Sequence, residues 1–259
     1  MVQRLRIRYA KRGRLRFTSH RDIQRAFERA LRRAQVPMAY SAGFSPHPRI
    51  SWAGAAPTGT ASEAEYVEIG VAERIDPDRL RAELDAALPP DLDILEIVEA
   101  ATASLVDRLE ASVWRIELPQ VQPDEAAKAV DAFLEAATVE VERLTKSGMR
   151  SFDARSAVVS LTVEDGLPKG GHKTRSSACA ILQVVVRHTT PAVRPDDVLT
   201  GLGSVGGLVP PVTPRVTRLA QGPLAQPSRA WPVADPMTPD RSASANSGPA
   251  SIESPDSGV

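Results

Sequence analysis

One cysteine, four histidines and few aromatic residues are what this 259-residue sequence has least of, and each scarcity removes a class of function. A lone Cys179 cannot close an intramolecular disulfide, so nothing asks for an oxidising compartment. Nor can it supply the set of closely spaced thiolates that holds an iron–sulfur cluster, and paired-cysteine zinc motifs are excluded with it. No Gly-rich phosphate loop of P-loop or dinucleotide type occurs, and no nucleophile elbow. The opening stretch, Met1 to Phe17, interleaves arginine with single apolar residues and never supplies the unbroken apolar run of a signal peptide or membrane span. A cytoplasmic protein with no membrane insertion, no cofactor in this chain and no bound metal is therefore expected.

What is present is segregated charge. The formal net charge is zero, yet residues 1–34 carry 12 Arg or Lys against only Asp22 and Glu28, while residues 63–142 carry 21 Asp or Glu against six Arg or Lys. A local field steers a partner more than the sum does, so the first segment is set to attract an anion. Pairing of the two regions with each other is the competing use of the same charges.

Arg4 to Tyr9 alternates strictly, the period of a half-buried strand with Leu5, Ile7 and Tyr9 inward and the arginines outward. Ser19 stands three residues before Asp22 in a capping-box arrangement, and Ile23, Phe27, Ala30, Leu31 and Ala34 recur at helical spacing, which predicts a helix over 20–35. Its other face carries Arg21, Arg25, Arg29 and Arg32 as one stripe. Turn chemistry dominates 41–62. A strand over 64–71, a helix over 76–88 and a strand over 92–98 follow, and the order reads β-α-β-β-α-β. It recurs loosely with strands over 113–118, 139–144, 158–163, 181–187 and 215–219 and helices over 124–137 and 196–202. The expected fold is α+β: two tandem ferredoxin-like (βαββαβ) units at 1–105 and 106–220, the second irregular. The Gly- and Lys-rich stretch 165–177 is expected to be an exposed hairpin tip. From 221 onward Pro, Ser, Ala and Gly take over, and a disordered tail over 221–259 is expected because little apolar surface is available to offset ordering entropy. Trp231 is the one residue there with a side chain suited to docking.

The residues able to carry chemistry concentrate in Phe17 to Asp22 and Tyr40 to Arg49. His20 and His47, with Asp22 and Glu65, are the candidates for general acid–base work, and helix capping and a rigid Pro46-His47-Pro48 turn are the structural readings of the same residues. Gly43 beside Tyr40, Phe44 and Trp52, with Arg49 close by, is the mixture a stacking platform for single-stranded nucleic acid requires, core packing being the competing reading for Tyr40 and Trp52. Arginines spaced along one helix face without acidic i+4 partners repel one another unless an anion binds, and phosphate contacts of that kind give salt-dependent affinity.

The stretch from Arg14 to Trp52, with its Ser19-His20-x-Asp22, Glu28-Arg29-Ala30-x-Arg32-Arg33 and Gly43-Phe44-x-Pro46-His47-Pro48 pieces, followed by Gly59, Ser62, Glu65 and Tyr66, resembles the radical-SAM-linked protein family, a domain fused to or encoded beside radical S-adenosylmethionine proteins. The resemblance implies a stand-alone accessory module whose partner is a separately encoded radical SAM protein. Combined with the charge pattern, it leads to the expectation of a binding module, not an enzyme on its own, that contacts RNA or another anionic substrate through Arg14, Arg16, Ser19, His20, Arg25, Arg29, Tyr40, Phe44, His47 and Arg49. Two alternatives are a metal-independent or metal-assisted RNA-processing hydrolase using His20 and His47, and a protein–protein adaptor.

Overall fold

Alternation in the first strand carries directly into the architecture. In the computed structural model, which describes residues 1–145, 148–164, 178–225 and 232–246, β1 (Gln3–Lys11) buries Leu5, Ile7 and Tyr9 on one face of a sheet. Ser19 then caps α1 (His20–Arg33), its hydroxyl accepting from the Asp22 amide and donating to the Asp22 carboxylate, and Ile23, Phe27, Ala30 and Leu31 pack down onto that face. β2 (Ile50–Ala53), β3 (Ala61–Val71), α2 (Pro77–Ala87) and β4 (Leu92–Glu99) complete the first half, with antiparallel neighbours in the order β4-β1-β3-β2.

The second half contains β5 (Ala111–Pro119), α3 (Pro123–Glu135), β6 (Glu140–Thr145), β7 (Gly148–Asp153), β8 (Val158–Val163), β9 (Cys179–Arg187), α4 (Pro195–Gly206) and β10 (Arg215–Gly222). β6 and β7 form a separate two-stranded sheet, and the remaining strands run β10-β5-β9-β8. With that hairpin set aside, each half places its fourth strand beside its first, its first beside its third and its third beside its second. β10 joins β3 in parallel at Thr217↔Ala61 and Arg218↔Ser62, so the halves share one eight-stranded sheet. The result is a mixed α/β structure with a large, mostly antiparallel sheet and, among the described residues, five α-helices.

One face is covered by α1 and α2 over the first half and by α3 and α4 over the second, each pair sealing its own apolar cluster. The other face of the first half is covered by the segment after β4 and by α5 (Thr238–Asn246), around Tyr66, Val98, Leu105, Leu109 and Met237. This second layer overturns two expectations. Arg6 is not outward but fully buried, because its face of β1 is roofed over. Disorder from 221 onward does not hold for 232–246, where Val233, Met237 and Asp240 are buried. A few well-placed apolar anchors dock a segment whose average composition is poor in them.

Two strands were not expected: β2 falls where turns were read, and β7 in a stretch to which no element was assigned. β2 is short and lies in the Gly- and Pro-rich stretch, and β7 has only exposed or half-buried residues and so no apolar alternation to betray it. The expected hairpin tip at 165–177 and Trp231 lie outside the described residues.

Candidate functional site

The basic residues of the first segment divide by element. On β1 and just after it they are used internally: Arg4 and Arg6 both reach Glu68, Arg8 donates to the Glu63 carbonyl, and Arg12, which follows the strand, is held between Glu63 and Asp93. Cross-strand register forces this, since Arg6 lies opposite Glu68. The expectation that strand and helix arginines form one open patch is thus corrected for the strand.

Along α1 the outcome differs. Arg21, Arg29 and Arg32 are exposed and make no ion pair among the described residues, and neither do Arg14 and Arg16 in the 3₁₀ turn Gly13–Phe17 that precedes the helix. Among the described residues Arg25 meets only Asp22, at 3.5 Å. Arg33 donates to the Ala87 carbonyl of α2. The Arg16 guanidinium sits 5.1 Å from the centre of the Phe17 ring, which is 64% exposed. The amphipathic pattern that buries Ile23, Phe27, Ala30 and Leu31 turns this cationic row to solvent.

Tyr40, Phe44, His47 and Arg49 come together on one loop. Tyr40 bridges Pro48, the Ser41 hydroxyl both contacts the His47 ring at Nδ1 (2.9 Å) and accepts from the His47 amide (3.1 Å), and the Arg49 guanidinium donates to the Tyr40 carbonyl. Gly43 has a φ of +124° at the tip, a conformation that any side chain would strain. Phe44 beside it is fully exposed and Tyr40 is 57% exposed, so neither is core. Trp52 does pack inward, edge-on to His20 (5.3 Å), Phe27 and Tyr9.

His20, at the start of α1, takes a hydrogen bond of 3.1 Å between its Nε2 and the Gln24 amide. Burial lowers its pKa, Glu65 partly opposes this and Lys11 adds to it. The latter two residues belong to a buried polar group on the helix-covered face between the two halves. The Glu65 carboxylate, 2% exposed, pairs with Arg218 and accepts from the Ala56 amide. Arg218 also donates to the Ser62 hydroxyl and lies over the Trp114 ring. Lys11 donates to the Pro57 carbonyl. Burial would raise the Glu65 carboxyl, but Arg218 foremost, then Ser62, Ala56 and Lys11, hold it below the ordinary glutamate value. Burial depresses the Lys11 ammonium, Glu65 opposing and Arg218 reinforcing. Burial, with help from Glu65, raises Tyr9 well above a free tyrosine.

The four residues named for acid–base work are therefore distributed. His20 and Glu65 share one electrostatic environment. Asp22 stays exposed at the helix cap with Ser19 and Arg25. His47 lies beyond the Val71 end of β3, where Arg49 bonds Gly70, whereas His20 stands over Trp52, which pairs with Val67 further along β3 towards Lys11. β2 thus separates the two histidines. Among the described residues no group of three or more His, Cys, Asp or Glu side chains is placed to hold a metal ion. Sequence reasoning missed Lys11 and Arg218, and quoted Ser62 only as part of the family resemblance, with no role assigned. Arg218 meets Glu65 across 153 residues of chain, and no local pattern marks it.

No described helix is long and apolar enough to cross a membrane. No curated protein matches the chain. A family model described as an uncharacterized protein conserved in bacteria (DUF2344) matches residues 4–195, from β1 to the first residue of α4. That span contains the cationic helix, the Tyr40–Arg49 loop and both residues of the His20–Glu65 pair, and leaves β10 and α5 beyond its end. Covering well over half of the chain, the match makes this protein a member of the DUF2344 family of bacterial proteins.

Proposed function

We propose that the protein is a binding module for RNA, built from two ferredoxin-like units, that presents its ligand to a separately encoded radical SAM protein. One observation carries this reading: Arg4, Arg6 and Arg12 are paired with acidic neighbours, whereas Arg14, Arg21, Arg29 and Arg32 are exposed and half-buried Arg16 stands beside them, none with an ion pair among the described residues. A row of like charges on one helix face is destabilising until an anion spans it, and a polyphosphate backbone spans it best. Phe17 and Phe44 supply exposed rings of the kind on which unstacked bases lie, and Arg16 already stacks on the first. Contacts of this type give affinity with little sequence discrimination, which suits a module that holds a substrate for another protein.

The alternative of a hydrolase using His20 and His47 gains no support from side chains at separate ends of β2. His20 beside Glu65 is explained by packing against Trp52.

Binding of a single-stranded RNA to the full chain, measured by fluorescence anisotropy across a salt series, tests the proposal. The expected result is binding that weakens steeply with salt, and in Arg25→Glu/Arg29→Glu a loss of about tenfold or more with a shallower salt slope. Absence of binding at low salt, or binding unchanged by the charge reversals, sinks it.

A further inference from the structure

The second notable polar site lies on the opposite face of the sheet from α1. There the Asp240 carboxylate of α5, fully buried, receives the Arg6 guanidinium (2.7 Å to Oδ1), the Thr102 hydroxyl (2.7 Å), the amides of Thr102 (3.0 Å) and Ala101 (3.1 Å), and Arg108 (3.1 Å to Oδ2). Two guanidinium groups, a hydroxyl and two successive backbone N–H groups converging on one point make an oxyanion hole of the kind that binds phosphate.

Three further observations concern what this hole is for. The Arg6 side chain is fully buried and that of Arg108 is 17% exposed, and Glu68 is the only other carboxylate paired with either among the described residues, so without Asp240 the hole holds more positive than negative charge largely out of water. Arg108 Nη1 is in addition buried with no hydrogen-bond partner among the described residues. A planar carboxylate offers two acceptor oxygens, while a tetrahedral phosphoryl group offers a third, out of that plane, to reach such an orphan donor. Finally, Arg6, Ala101, Thr102 and Arg108 all lie inside residues 4–195, the part of the chain that the family model matches, whereas Asp240 arrives from beyond it, on a nine-residue helix. A helix that short has no stability of its own and is held only by docking, here by Met237 and by Arg241 with Glu96. The chain approaches it tightly over β10, where a side chain at Gly222 would collide with the Ala234 carbonyl.

We propose that Arg6, Thr102 and Arg108, with the amides of Ala101 and Thr102, form a binding site for a phosphoryl group, and that the strap 232–246 closes it by inserting Asp240 as an internal stand-in. Displacement of the strap exchanges one anion for another and leaves the sheet intact. The site is independent of the α1 surface, and its ligand is a terminal or free phosphate that enters a hole, not a nucleic-acid backbone that lies along a helix.

Inorganic phosphate is the probe, titrated calorimetrically into the full chain, wild type and Asp240→Ala, with acetate at matched ionic strength as the planar comparison. Asp240→Ala is expected to bind phosphate at least about tenfold more tightly than wild type, and its unfolding temperature to rise on adding phosphate, more than on adding acetate. The gain is expected to persist in an Arg25→Glu/Arg29→Glu background, which separates this site from the helix. A folded Asp240→Ala chain that binds phosphate no better than wild type overturns the proposal, as does a gain lost in that background or matched by acetate. Should Asp240→Ala fail to fold, Asp240→Asn keeps the shape of the strap and removes its charge. A smaller gain in phosphate affinity is expected there, and no gain overturns the proposal equally.

Discussion

His20 illustrates how a residue whose pattern suggests catalysis acquires physical properties from its packing. Burial beside Trp52 lowers its pKa, so the folded chain takes up the imidazole proton less readily than the unfolded chain, whose value is near 6.5. Below that pH the unfolded state binds more protons and stability falls, and above it the contribution is complete. His188, whose Nδ1–H donates to the Leu109 carbonyl and whose Nε2 faces the Ser112 hydroxyl, is depressed by burial in the same sense and shares the window. Glu65 acts in a lower range. Its folded value is depressed, so its contribution is present above the ordinary value of 4.5 and is lost as pH falls through the folded one. Urea unfolding at a series of pH values should therefore show wild type losing stability from about pH 7 to 5, with the slope reduced in His20→Gln and the remainder removed by adding His188→Gln. An unchanged slope in both variants contradicts the burial argument.

At the scale of elements, α1 and α5 solve opposite problems. α1 is fixed by one apolar stripe, so its cationic face is left to solvent and contributes little to folding. α5 has few apolar residues and docks through Met237, buried against Tyr66, Val98, Leu105 and Leu109, together with Asp240. With Val233 packed elsewhere, Met237 is the apolar anchor next to the helix and carries much of its docking. Met237→Ala is expected to destabilise the chain by about 2–5 kcal/mol in denaturant unfolding and to raise amide exchange in α5 before the rest of the sheet. Loss of less than about 1 kcal/mol, or exchange that rises uniformly, argues against a strap with its own opening equilibrium.

For the molecule as a whole, the decisive joint is β3 against β10. Only two residue pairs make the parallel contact, and the Arg218–Glu65 pair beside them is almost wholly buried. Removing one member leaves an uncompensated buried charge, so Glu65→Gln is expected to cost about 3–5 kcal/mol. Replacing both, as Glu65→Leu/Arg218→Met, should cost much less than the sum of the two single changes, because no orphan charge remains. With the joint intact, circular dichroism and calorimetry are expected to report one unfolding transition. Two separate transitions in wild type indicate halves that fold independently.

Much of the fold was legible because its signals are local. Strict alternation in Arg4 to Tyr9, the Ser19–Asp22 cap, the four-residue spacing of Leu80, Leu84 and Leu88 and the β-branched run at 181–187 each specify an element through contacts within a turn or a strand. β2 and β7 escaped, since neither shows one-sided burial over enough residues to set a period. Of the candidate site, the cationic row on α1 and the exposed loop around Gly43 were readable, because solvent exposure on one helix face and a glycine-requiring turn follow from nearest neighbours.

The sequence alone thus determined most of the elements, the apolar face of each and which segments carry surplus charge, for these depend on interactions a few residues long. Only the tertiary structure decided which charges remain available. Whether an arginine meets a carboxylate depends on strand register and on what covers the second face of the sheet. Arg6 is neutralised by Glu68 and Asp240 from 62 and 234 residues away, while Arg29 meets no acid among the described residues. Coulomb energy is set by distance in space, and chain separation carries no information about it until the sheet has closed.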